Sequence, residues 1–161
     1  MKFNFYALRA IYLHEVDRFR RTLLQSLLSP VLSTSLYFIV FGSVIGDYVE
    51  SIDGLSYGSY IVPGLLMLTL LTQSISNTSF GIFFPKFNGT IYEILAAPIS
   101  TFEVVLAFVG AGATKTLIVG VVIFVTSLFF VDVTVKYPLL MIFLLVLVAF
   151  TFALFGFLIG L

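Results

Sequence analysis

From Pro138 to Leu161 the chain carries no formal charge, and the same holds from Leu24 to Gly46 and from Tyr60 to Phe84. A fourth apolar run, Gly112 to Val131, is broken by Lys115 alone. Each run is close to the ~20 residues needed to cross a bilayer. Inside hydrocarbon every backbone N–H and C=O must find its partner within the protein, which a helix achieves within one segment. The expected fold class is therefore all-α, a polytopic helical membrane protein with spans at about 24–46, 60–84, 112–131 and 138–161. Helix-compatible sequence for the third span already begins near Thr101. A proline removes a backbone donor, so a kink is expected in the first span at Ser29-Pro30.

Composition agrees with this reading. Of 161 residues, 60% are hydrophobic and only 10% charged, too few to clothe a water-facing surface. Eight basic and eight acidic residues cancel, so no nucleic acid partner is indicated. The absence of cysteine and the single histidine, His14, exclude disulfides, thiolate sites and multi-histidine metal sites. The sequence contains no tandem repeat or linker, which leaves one membrane domain spanning 1–161.

The first residues spread charge throughout and lack the short apolar core of a cleavable signal. Residues 3–23 instead place Phe5, Leu8, Tyr12, Val16, Phe19 and Leu23 at steps of three and four. Arg9, Glu15, Asp17, Arg18, Arg20 and Arg21 fall mostly elsewhere, with His14 on the polar face. This pattern describes an amphipathic helix lying in the membrane interface, or an ordinary solvated helix. The basic N-terminal segment contrasts with the loop 47–58, which holds Asp47, Glu50 and Asp53 and no lysine or arginine. The positive-inside rule then puts the N-terminus in the cytoplasm and that loop outside. Counting spans returns 85–100 to the cytoplasm and puts 132–137 outside, with Lys136 a minor dissent. The acidic loop lacks the ligand spacing of a calcium loop and reads as a solvated outer loop.

Residues 110–116, "GAGATKT", superficially resemble a phosphate-binding loop. Such a loop needs glycine directly before the lysine and again five residues earlier, where this chain has Thr114 and Val109. Lys115 is expected instead near the cytoplasmic end of the third span, snorkelling to the headgroups. Gly42/Gly46 and Gly156/Gly160 have the spacing that allows transmembrane helices to approach closely, without fixing a partner. The later half of the second span is polar. Thr69, Gln73, Ser76 and Phe80 fall near one helical face, with Asn77 beside them. That face should avoid lipid and meet other helices or a water-filled path. With no acidic residue expected in mid-membrane, a proton-coupled transporter is disfavoured.

The segment 85–100 gathers Pro85, Lys86, Asn88, Gly89, Thr90, Glu93 and Pro98 between two spans. Asn88 or Thr90 can cap a short helix, Glu93 suits its first turn, and Pro98 closes it. Ile91, Ile94 and Leu95 give this helix an apolar side. On physical grounds it is either a docking element or an interfacial turn.

"GTIYEILAAPIS", preceded by Lys86 and followed by Glu103 and Val104, resembles the signature of the ATP-binding-cassette type-2 exporter permeases. In that signature a lysine or arginine, glycine-threonine, an acidic residue, a leucine pair and a proline precede the third span. "YIVPGLLML" and "EVDRFRRTLLQSLLSPVLSTSLYFIVFGSVIG" are similar to the family's second span and to its connecting helix and first span. The resemblance implies the permease fold and a non-catalytic subunit of a bacterial inner-membrane exporter for a drug-like, lipid or glycan amphiphile. It implies a second permease copy, surrounding lipid, and a separate ATPase subunit that binds ATP and magnesium. It also implies that Lys86, Asn88, Gly89, Thr90, Glu93, Leu95 and Pro98 couple to that ATPase. Thr69, Gln73, Ser76 and Asn77 become candidates for a pathway or helix interface. Such permeases usually have six spans, so two more are expected beyond Leu161. The competing expectation is a membrane scaffold that binds another partner; a passive channel is disfavoured because no charged ring or filter-like loop is present.

Overall fold

The computed structural model describes residues 4–45, 57–131 and 135–161, with the side chains of 42–45 excluded. The acidic loop and the Gly42/Gly46 spacing therefore lie outside the described residues in whole or in part. The described chain forms α1 (Phe5–Arg21), α2 (Leu23–Tyr37) with a π-helical continuation (Phe38–Ile45), α3 (Tyr57–Phe87), α4 (Ile91–Ala96), α5 (Thr101–Ser127) and α6 (Pro138–Gly160). Four of these segments are long and apolar enough to cross a membrane: Leu23–Phe41, α3, α5 and α6. The all-α polytopic architecture expected from the four apolar runs is what the chain adopts.

The most buried of the four is α5, with α1, α2, α3 and α6 packed around it. Ile82 of α3, Val104, Phe108, Val109 and Ala113 of α5, and Ala149, Ala153 and Phe157 of α6 form one apolar cluster. Phe19 of α1 joins Val119 and Ile123 of α5 in a second. Outward faces carry large apolar side chains such as Leu139, Phe143 and Leu154, as suits helices surrounded by lipid.

Element boundaries depart from the apolar runs for local reasons. The third long helix begins at Thr101, because Ser100 and Glu103 form a capping box that satisfies orphan N–H groups. Glu103 Oε2 accepts from the Ser100 N–H at 2.8 Å. The second runs from Tyr57 to Phe87, past both expected ends, with Pro63 and Pro85 inside it. Lys86 thus occupies the last turn of α3 instead of the connecting segment. In α2 the helix continues through Pro30, and the backbone changes register later, in the π-helical stretch from Phe38.

The Gly156/Gly160 pair has an intramolecular role. A Cβ at Gly156 would stand 2.5 Å from the Ile75 carbonyl oxygen, and one at Gly160 2.7 Å from that of Ser79. Glycine is what lets α6 lie against the backbone of α3. Beside them, Ser74 Oγ donates to the Ala149 carbonyl at 2.6 Å inside the same contact.

Candidate functional site

Residues 85–100 fold as a tight turn, a short helix and an extended exit. Asn88 N–H donates to the Phe84 carbonyl at 3.1 Å, and Gly89 then takes φ 78°, the left-handed conformation that ends α3. Thr90 occupies the N-cap position of α4, but its side chain makes no capping bond, and Asn88 lies outside the helix. A six-residue helix has little stability of its own. Packing holds α4 in place: Ile91, Ile94 and Ile99 press against the cluster of Ile82, Val104 and Phe157.

Leu95 lines one apolar groove with Ile91 and Ile94, beside Phe157 and Leu158 of α6. It is less deeply packed than they are and remains exposed, as are Tyr92, Glu93 and Pro98. The exposed part of α4 is therefore a mixed surface, with the Glu93 carboxylate to one side of Tyr92 and Leu95 to the other. Lys86, Asn88 and Thr90 are exposed at its leading edge, and Lys86 Nζ donates to the Leu161 carbonyl. Tyr92, also exposed here, carries neither charge nor a special backbone requirement, so the sequence alone does not single it out.

The segment is tied to the rest of the molecule through Glu103. One oxygen of this buried carboxylate completes the capping box after α4, while the other accepts from the backbone N–H of Asn4. Asn4 in turn caps α1, its Oδ1 accepting from Ala7 N–H at 3.2 Å. A single carboxylate thus joins the start of α1 to the exit of α4.

Lys115 requires a correction. It is buried in the middle of α5, 4% exposed, and its Nζ donates to Glu15 Oε2 at 2.8 Å. Glu15 is itself 2% exposed and also receives Arg18 Nη2 at 3.1 Å. Glu15 belongs to the packed face of α1, alongside Tyr12, whose hydroxyl meets Thr114 at 2.9 Å, and Phe19. The signal was present: Tyr12, Glu15 and Phe19 share helical spacing, and a lone cation in an apolar run demands a partner. Residues 110–116 lie wholly within α5, so the phosphate-loop look-alike is a helical segment.

The expected polar face of α3 divides. Thr69 Oγ1 bonds back to the Leu65 carbonyl at 2.8 Å, and Gln73 is half-buried. Ser76 and Phe80 are exposed, and Asn77 Nδ2 lies 3.5 Å from Thr116 Oγ1. Beyond that contact, the buried positions of α3 include Leu66, Leu70, Ser74, Thr78 and Ile82. Ser76 and Asn77 open onto a groove shared with Arg18, Gln25 and Lys115.

Comparison with known proteins identifies the family of the chain. The model of the family described as ABC-2 type transporter matches residues 6–161. Over 154 residues the chain is 39% identical to the inner membrane transport permease YadH of Escherichia coli (strain K12), covering 96% of this chain and 60% of that protein. It is 23% identical over 121 residues to nodulation protein J of Azorhizobium caulinodans, covering 74% of this chain and 48% of the relative. The chain thus spans about three fifths or less of these relatives' lengths. No solved structure matches it.

Proposed function

Since the chain belongs to the ABC-2 type transporter family, and is a transport permease of helical membrane architecture, we propose that it works in an ATP-driven exporter of the inner membrane. It acts without catalysing a reaction itself, and a separate ABC ATPase binds ATP and magnesium. The N-terminus and residues 85–100 face the cytoplasm, and a second permease copy completes the pathway. Its cargo is an amphiphile of the drug-like, lipid or glycan kind, in contact with the surrounding lipid.

The observation that carries this reading is the division of α4 into an anchored part and an exposed part. Ile91 and Ile94 anchor it against the core, while Tyr92, Glu93, Leu95 and Pro98 remain exposed, Tyr92 and Leu95 at the rim of the groove beside α6. Such a surface suits a groove on a soluble partner. Lys86, Asn88, Gly89 and Thr90 shape the turn that presents it. Movement of α4 is passed to α3 through the Gly89 turn and to α5 and α1 through Glu103. An ATPase that holds this face more tightly in one of its states than in the other biases the permease between conformations by that difference. The polar residues Thr69, Gln73, Ser76 and Asn77 are assigned to the pathway side of α3 or to its helix contacts.

Affinity purification of the tagged permease from membranes co-expressing a candidate ABC ATPase tests the reading. The two should purify together and hydrolyse ATP in the membrane. A permease that purifies with no ATPase, and whose α4 instead retains a non-ATPase membrane protein, would support a scaffold.

A further inference from the structure

The groove between α1, the start of α2 and α3 has a volume of about 490 Å³ and is lined chiefly by polar side chains, with Phe19 and Phe80 among them. Arg18 and Lys115 face it together with Thr22, Gln25, Ser76 and Asn77. Behind them stands one carboxylate. Glu15 uses a single oxygen, Oε2, to receive both Lys115 at 2.8 Å and Arg18 at 3.1 Å.

Two cations against one carboxylate leave this cluster with a formal charge of +1. The described residues lining the groove include no acidic side chain to balance it. Asp17 is directed elsewhere, exposed and within 3.7 Å of Arg20. The ammonium of Lys115 has three donors and the guanidinium of Arg18 five, so Glu15 leaves most of them free to meet an incoming acceptor. Arg18 also has its guanidinium carbon 5.6 Å from the centre of the Phe84 ring, at the edge toward a neighbouring groove that it lines with Asp17. Its side chain is 31% exposed and forms the accessible edge, whereas Lys115, 5% exposed, forms the floor.

We infer that this groove binds an anionic phosphate group, with Arg18 and Lys115 neutralising it and Ser76, Asn77 and Gln25 able to supply further donors. A guanidinium and an ammonium converging on one opening favour a tetrahedral oxyanion. The groove lies where the amphipathic α1 meets the first turns of α2, a position suited to a headgroup entering from the bilayer. The assignment does not depend on docking of α4 or on an ATPase, and binding alone tests it.

The test is native mass spectrometry of the detergent-solubilised chain titrated with phosphatidylglycerol, with phosphatidylcholine of the same acyl chains, or with inorganic phosphate. Phosphatidylglycerol should remain bound in preference to phosphatidylcholine, and Arg18→Gln should weaken it at least tenfold. Arg18→Lys should retain part of the affinity, and Arg20→Gln, an equal charge change elsewhere, should leave it unchanged. Ser76→Glu supplies a carboxylate from an exposed position and should abolish binding even if Arg18→Gln folds poorly. Arg18-dependent binding of the lipid alone identifies a headgroup site, and Arg18-dependent binding of inorganic phosphate identifies a site for the free ion. Equal affinities in wild type, Arg18→Gln and Ser76→Glu, or no preference for phosphatidylglycerol and no phosphate binding, would overturn the inference.

Discussion

Lys115 and Glu15, 100 positions apart, meet at 2.8 Å between α1 and α5, both almost completely buried. A buried ion pair offers little net stability over well-packed apolar residues, but breaking it leaves an uncompensated charge. Glu15→Leu leaves Lys115 and Arg18 facing each other and should cost about 3–5 kcal/mol. Lys115→Leu should cost less, because Arg18 still pairs with Glu15. The double variant should be more stable than the sum of the two effects implies. Denaturant unfolding in mild detergent measures all three; strict additivity would mean that the two side chains do not interact.

The close approach of α6 to α3 gives a steric prediction. Gly156→Ala forces a Cβ to within 2.5 Å of the Ile75 carbonyl and should destabilise the protein by about 1–3 kcal/mol. Gly64→Ala, with nothing within 4 Å of its Cβ, is the matched control and should be neutral or slightly stabilising. Thermal unfolding midpoints of the two variants check this.

Removing the carboxylate of Glu103 should act at two places. Glu103→Ala loses the capping box of α5, an effect of about 0.5–2 kcal/mol, and also releases the Asn4 N–H at the start of α1. Hydrogen exchange should rise at residues 5–8 as well as at 100–103. A rise confined to the second stretch would show that Glu103 does not tie α1 to the exit of α4.

Much of this architecture is legible in the sequence because charge-free runs of span length allow little besides helices. Residue-level placement was less legible where one side chain obeyed two rules. Lys115 near the edge of an apolar run can snorkel or pair, and only the packing of α1 on α5 selects pairing. Glu15 is acidic, so charge suggested the polar face while spacing put it with Tyr12 and Phe19. The polar half of α3 is divided by packing in a related way. Thr69 satisfies its own hydroxyl by bonding to Leu65, which removes the need for a protein partner, whereas Ser74 and Thr78 take the packed positions. At α4, Ile91, Ile94 and Leu95 share one helical side, and only the packing separates Ile91 and Ile94, which press on the core, from Leu95, which stays exposed.

Orientation can be tested directly, since the chain has no native cysteine. Single cysteines at Ser51 and Asn88 would be treated in intact cells with an impermeant thiol reagent. Position 51 should be labelled and position 88 protected. The reverse pattern would place residues 85–100 outside and remove them from any cytoplasmic ATPase.

The central claim is that the exposed face of α4 transmits ATPase binding. Glu93→Lys should weaken that interaction by reversing the charge beside Tyr92, with Glu93→Gln milder. Ile94→Pro loses the backbone bond to Thr90 and should cost about 3 kcal/mol of local helix stability. Asp53→Lys reverses charge on the loop assigned to the other side and should have no effect. The decisive measurement is ATP hydrolysis by the permease–ATPase complex in reconstituted membranes, with and without transported substrate, for these four variants. The account predicts that Glu93→Lys and Ile94→Pro lose substrate-stimulated hydrolysis while remaining folded and inserted, and that Asp53→Lys retains it. Normal stimulation in both Glu93→Lys and Ile94→Pro would contradict the account and leave α4 as an interfacial turn.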